Sequence, residues 1–256
     1  MKRGQKDAYL KNPNCGKANY SVLFCASATG VYLPPLVVFS SEHVYDKWTE
    51  NGPRGAVYTC TPKGYMQDVN FESWFVKCFV EFVKDYPKPV VIVYDGHGSH
   101  ITYDTMEIAN KNKIIVVCLP AHTSHAMQPL DVAVFKSVKV KWRAILERFF
   151  ALSHGRIAVD KCNFSHLLAQ LWPQLEPKHM INGFRASGLH PIDPSELDRR
   201  IVGMLSEGKN KRPRSPDANV EALRQTVIEL LSPTGYYFYL SLLAYLCDAL
   251  FFILRS

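Results

Sequence analysis

The chain has 256 residues, 47% hydrophobic and 12% aromatic, with a formal net charge of +7 and a sequence pI near 9.0. That composition allows one large domain, or one domain with a tail, around a sizeable core. The basic excess favours polyanionic partners, nucleic acid first and acidic membrane second, with a mildly basic globular surface as the plain alternative.

The seven cysteines are odd in number, form no CxxC pair and fall partly inside apolar runs. This excludes a disulfide framework and zinc-type spacing, and predicts reduced, buried thiols of the cytosol or nucleus. The opening MKRGQKDAYLKNPN has no apolar signal-peptide core.

In chain order, Tyr20 to Ala28 reads as a strand, Thr29-Gly30 as a turn, and Val31 to Phe39 as a second strand. Pro34 and Pro35 push that second strand toward an edge or a bulge. Ala56 to Cys60 is a short third strand. From Val69 to Val83, Phe71, Trp74, Phe75, Cys78, Phe79, Phe82 and Val83 recur at helical spacing, which predicts an amphipathic helix ended by Pro87 and Pro89. Val90 to Tyr94 and Ile114 to Leu119 are unbroken apolar runs that suit strands buried on both faces. A short helix is expected over Thr102 to Asn110 and a long one over Leu130 to Phe150. Phe164 to Leu171 is a further helix, Ile181 to Pro194 a helix end with a Gly- and Pro-rich loop, and Glu207 to Pro216 a basic linker. The order predicts an α/β domain with a mixed sheet.

Two carboxylates stand out. Asp95 directly follows VVIVY, at the carboxyl end of a strand, where open α/β sheets bind ligands. Gly96 and Gly98 permit a sharp turn there, and His97 and His100 add imidazoles. Asp131 follows Pro129 and falls in the first turn of the long helix, where amide dipoles favour its charge. Singly, each reads as a turn or cap residue. Together they suggest a Mg²⁺ site completed by water and substrate phosphates. His97, His100, His122 and His125 read as polar loop lining rather than a zinc cluster, since no helical HExxH is present.

VVIVYDGHGSHIT, LPAHTSHAMQPLDVAVFKSVKVKWR and GFRASGLHPIDP resemble the DDE superfamily endonuclease domain of pogo, tigger and jerky-type transposases and their domesticated relatives, such as centromere protein B. SATGVYLPPLVVF resembles strands of the same family, and the likeness runs from about Gly4 to Pro194. The resemblance implies an RNase H-like fold, a mixed sheet flanked by helices, that uses three acids and Mg²⁺ (or Mn²⁺) to cut and join DNA. It implies that Asp95 and Asp131 are metal ligands and catalytic, with His100, His97 and Gln128 in support.

In relatives the first acid lies on a central strand upstream of the segment matching KRGQKDAY, which here follows Met1 directly; Asp7 sits on the wrong side of the motif. The expectation is therefore a truncated domain over residues 1–195 that lacks its first, central strand and is impaired as an endonuclease. Residues 196–235 form a linker, and 236–254 an apolar tail helix. The alternative is a non-catalytic nucleic-acid-binding module of domesticated type. For that module, Lys136, Lys139, Lys141 and Arg143 are candidate phosphate contacts and Lys209 to Arg214 (KNKRPR) a nuclear localisation patch, with a solvated helix face and a solvated linker as the plain alternatives. Expected partners are DNA and a homo-oligomer, in the nucleus. A membrane enters only through Tyr236 to Leu254, nearly all apolar with Asp248 as its one charge, and near the lower length limit for a span.

Overall fold

The computed structural model describes residues 19–95, 102–119, 124–154, 157–193, 195–196, 199–200 and 250–255. Tyr20–Ser27 (β1) and Leu36–Ser40 (β2) form the expected antiparallel hairpin, paired from Tyr20 against Phe39 to Leu23 against Leu36. The second strand starts later than its apolar pattern predicts. Pro34 and Pro35 have no N–H to give to a ladder, so Tyr32 keeps a single bridge to Ala26 and regular pairing begins at Leu36. Val57–Thr61 (β3) pairs parallel to β2.

Val90–Asp95 (β4) and Ile114–Leu119 (β5) pair in parallel. Val90 to Tyr94 are buried as expected, but β5 ends the strand order and is only partly buried from Ile115 to Val117, with Cys118 exposed, so its apolar run does not mark a strand buried on both faces. Between them lies Tyr103–Lys111 (α4), whose N-cap Thr102 accepts a hydrogen bond from the Thr105 amide.

The carboxyl-terminal segment corrects an expectation. Leu250–Arg255 is a strand (β6), not the end of an apolar helix. It lies inside the sheet, in the order β3-β2-β1-β6-β4-β5, antiparallel to β1 and parallel to β4. The central place expected to go unfilled is therefore filled, by residues from the far end of the sequence. Phe251, Phe252 and Ile253 are strand formers, and pairing on both sides satisfies their backbone groups better than an isolated helical turn would. Residues 236–249 of the predicted tail helix lie outside the described residues. Among the described residues no helix is long and apolar enough to cross a membrane.

Helices cover both faces of this mixed sheet. On one face, Asp68–Trp74 (α2) and Glu81–Val83 (α3) are joined by a π-helical stretch, Phe75–Val80, whereas the earlier Asp46–Thr49 (α1) packs on the other face through Trp48. On the first of these faces Phe71, Trp74, Phe75, Phe79 and Val83 are buried against Leu23, Leu36, Val38, Ile92 and Tyr94. The predicted amphipathic helix thus exists, with a widened, π-helical centre. On the other face lie Ser124–Met127 (α5), the π-helical turn Leu130–Val134, Phe135–Leu152 (α6), Lys161–Leu171 (α7) and Pro177–Ala186 (α8). A capping box of Asp160 and Asn163 starts α7, and Tyr20 stacks on Phe164 with ring centroids 4.3 Å apart.

Five cysteines are described, all free. Of these only Cys25 is buried; Cys118 and Cys162 are exposed, against the general expectation of buried thiols. Cys118 lies on β5, the last strand of the sheet order, where one side of the ladder has no strand neighbour among the described residues.

Candidate functional site

Strand alternation decides which face each position of β4 occupies. Val91 and Val93 belong to the core shared with Leu119, Leu130 and Val134, whereas Ile92 and Tyr94 belong to the opposite core. Position 95 has the parity of Val91 and Val93, and it pairs with Leu119 at the carboxyl end of the parallel strands. It therefore falls on the face covered by the turn that carries Asp131.

That turn is firmly placed. Leu130 and Val134 are fully buried and anchor it to the sheet, while Asp131 between them is exposed. The Val132 amide donates to the Gln128 carbonyl at 2.9 Å, closing the first turn ahead of α6. The turn is π-helical, a local widening often met at functional sites. The sequence predicted one continuous helix from Leu130; the extra residue in this turn is set by packing and has no signature in the periodicity.

On its other side the turn meets α8. A Cβ at Gly183 would stand 2.5 Å from the Pro129 carbonyl oxygen, so only glycine allows this approach. Gly183→Ala is expected to destabilise the protein by about 1–3 kcal/mol, because the obstacle is backbone and cannot swing away. Thermal unfolding of the variant measures this. An unchanged melting temperature would mean that α8 and the Pro129 turn are not in contact.

Gln128 is fully buried, and neither its Oε1 nor its Nε2 has a hydrogen-bond partner among the described residues. A buried amide needs partners for both its oxygen and its nitrogen, since leaving it unpaired costs about 1–3 kcal/mol. Gln128 lies one turn before Asp131. The side-chain oxygens of aspartate and glutamine are hard donors, of the type that suits Mg²⁺ or Mn²⁺ rather than a thiophilic metal. Among the described residues no group of three or more His, Cys, Asp and Glu gathers as a cluster for a metal. His97, His100 and His122 lie outside the described residues, as does the Lys209 to Arg214 patch, and His125 is placed only by its backbone in α5.

The basic residues of α6 divide by helical face. Val138 and Ile145 are buried, with Phe135, Trp142, Leu146 and Phe149 packed beside them. Lys136, Lys139 and Arg143 are exposed along one flank of that buried stripe, spaced so that they follow one another along the helix. Lys141 differs from them. It is mostly covered, its Nζ 2.7 Å from Glu176 Oε1 and also hydrogen-bonded to the Gln174 carbonyl. Lys178 holds the other carboxylate oxygen of Glu176 at 2.6 Å. The sequence could not separate Lys141 from its neighbours, because its partner lies outside α6.

Hydrogen bonds from Lys141 and Lys178 pull the Glu176 carboxyl down to about 2. A carboxyl depressed in the folded state stabilises above its unfolded value and loses that stabilisation as the pH falls through the folded value. The contribution is thus present above about pH 4.5 and disappears toward pH 2. Glu176→Gln should flatten the acid limb of the stability curve in that window and leave the neutral-pH limb parallel to that of the unaltered chain. Urea midpoints measured from pH 2 to 7 test this.

Comparison with known proteins adds the following. The family described as DDE superfamily endonuclease matches residues 17–184. A curated protein named MFS-type transporter clz9, from Cochliobolus lunatus, is 25% identical over 195 residues, covering 73% of this chain and 21% of that protein. Pogo transposable element with ZNF domain, from Homo sapiens, is 24% identical over 143 residues, covering 54% of this chain and 10% of that protein. Pogo transposable element with KRAB domain, also human, is 20% identical over 196 residues, covering 72% and 31%. The chain thus spans between a tenth and a third of these relatives. No solved structure matches.

Proposed function

Since the chain belongs to the DDE superfamily endonuclease family, we propose that it is a transposase-derived, RNase H-like domain that binds DNA and holds one Mg²⁺ or Mn²⁺ between Asp95 and Asp131. The observation that carries this reading is the shared sheet face of position 95 and the Asp131 turn. When bound, the divalent ion would polarise a phosphodiester oxygen and lower the pKa of a bound water. The chain's own part is to fix the two carboxylates, at a strand end and at a helix start. Gln128 would orient a water from its buried side of the turn. Lys136, Lys139 and Arg143 would hold the DNA backbone beside the acids; Lys141, tied to Glu176, serves the fold instead.

The domain is impaired as an endonuclease. The strand that lies beside β4 on the hairpin side, Leu250–Arg255, carries no Asp or Glu, so it supplies no further carboxylate next to position 95. Residues 1–195 with β6 form the DNA-acting domain, and a nuclear location follows from DNA as the partner. The second reading, a nucleic-acid-binding module without catalysis, is favoured by that same carboxylate-free strand.

One experiment separates them. Mn²⁺ binding and plasmid nicking are measured on the whole chain and on Asp95→Asn and Asp131→Asn. Weak Mn²⁺ binding lost in both variants, with slow metal-dependent nicking at most, supports the impaired metal-site reading. DNA binding that needs no metal and survives Asp95→Asn, without any Mn²⁺ binding, supports the module. Robust nicking abolished by Asp95→Ala would overturn the claim of impairment.

A further inference from the structure

We propose that the space between β1 and β4 is a strand-accepting site for an extended apolar peptide, and that Leu250–Arg255 is its exchangeable resident. The other five strands all come from residues 20–119, whereas β6 arrives only after residues 201–249. It is the element that joins the two halves of the sheet. On one side β3, β2 and β1 form a unit, and on the other β4 and β5 do.

The flanks of this slot are built to receive a strand. Leu23, Phe24, Cys25 and Ala26 on β1, and Val91, Ile92, Val93 and Tyr94 on β4, are each buried to within a few per cent. Their side chains alternate between the two cores, so a strand between them extends both cores at once. Each flank presents one row of backbone groups into the slot. β6 satisfies the β1 row in antiparallel register, Leu23 with Arg255 through Ser27 with Phe251. It satisfies the β4 row in parallel register, Val91 with Leu250 through Tyr94 with Ile253. Affinity in such a site comes from the two ladders, and selectivity comes from the alternating side chains. The ligand class is a six-residue extended segment, apolar on both faces and free of proline, because a missing N–H breaks a ladder rung.

The test uses the full chain and needs neither metal nor DNA, so its failure is distinct from failure of the functional reading above. Position 253 is the register partner of the native Cys25. Ile253→Cys is oxidised mildly and the cross-link mapped by mass spectrometry; Leu254→Cys, opposite Phe24, is the control. An intramolecular disulfide between Cys25 and the thiol introduced at position 253, absent from the control, is expected. A fluorescent peptide LFFILRS with a solubilising lysine tail is then offered to the oxidised and the reduced protein. Uptake by the reduced protein, at least about tenfold weaker when the disulfide is closed or when proline replaces the second phenylalanine of the peptide, is expected. No disulfide at position 253 would overturn the occupancy. A disulfide-linked dimer would overturn the in-chain occupant. A disulfide without peptide uptake on reduction, or uptake unaffected by the disulfide, would overturn exchange at this site.

Discussion

Replacing Lys136, Lys139 and Arg143 together with alanine should lower DNA affinity about a hundredfold at physiological salt and reduce the salt slope of log K by roughly 2.7, about 0.9 for each phosphate no longer neutralised. All three are exposed, along one flank of the stripe of α6 that packs on the core. Their removal therefore costs little stability. Lys141→Ala is the informative counterpart. That ammonium is committed to Glu176 and to the Gln174 carbonyl, so its loss should lower the melting temperature while leaving the salt slope unchanged. Fluorescence anisotropy on a duplex at several salt concentrations, with a melting curve for each variant, reads both. A salt slope that falls as much in Lys141→Ala as in a single Lys139→Ala would show that the division of the helix into a binding face and a structural face is wrong.

On the proposed reading of Asp95 and Asp131 as metal ligands, Leu254→Asp should raise the affinity for a divalent ion. Position 254 pairs with Phe24 across β1, on the sheet face of Val93 and the Asp131 turn. Its neighbour Ile253 pairs with Tyr94, so position 254 stands one step further, alongside position 95. A carboxylate there would join Asp95 and Asp131 around one ion. Without metal it would place a like charge beside Asp95 and burden the apolar sheet, so the variant should melt lower than the unaltered chain. With Mn²⁺ the order should change: affinity rises about tenfold or more, close to 1.4 kcal/mol, and the melting temperature recovers. Leu254→Asn keeps the polar shape of the aspartate and lacks its charge, and it should show the loss without the recovery. Titration calorimetry with Mn²⁺ and melting curves with and without the ion give the answer. Equal affinities in the Asp and Asn variants would mean that position 254 does not reach the ion.

Both expectations depend on placements of unequal legibility. The strands at Val90–Asp95 and Ile114–Leu119 were readable as strands from unbroken runs rich in β-branched residues, but the run did not tell the buried β4 from the half-buried edge strand β5, because the number of strand neighbours is decided by the rest of the sheet. Asp95 and Asp131 were readable as candidates from their local settings, one after a strand and one at a helix start. The family was legible too, since several separate motifs occur in order and the matching region, residues 17–184, contains both acids. Other features carried no local signal. Gly183 is an ordinary helical glycine until Pro129 packs against it. Lys141 is one lysine of several until Glu176 comes within 2.7 Å.

The tail marks the boundary most clearly. Its sequence determined that residues near 250 must be buried somewhere, because a run rich in Phe, Ile and Leu is costly to leave in water. It did not determine the form of burial. A run of that length satisfies its own backbone as a helix or borrows partners as a strand, and the apolar pattern is the same for both. The tertiary structure decided, by presenting β1 and β4 with unpaired edges and two apolar faces between them. Hydrogen bonds that a segment makes to distant strands cannot be read from the segment itself, so composition set the need for burial and the surrounding sheet chose the conformation.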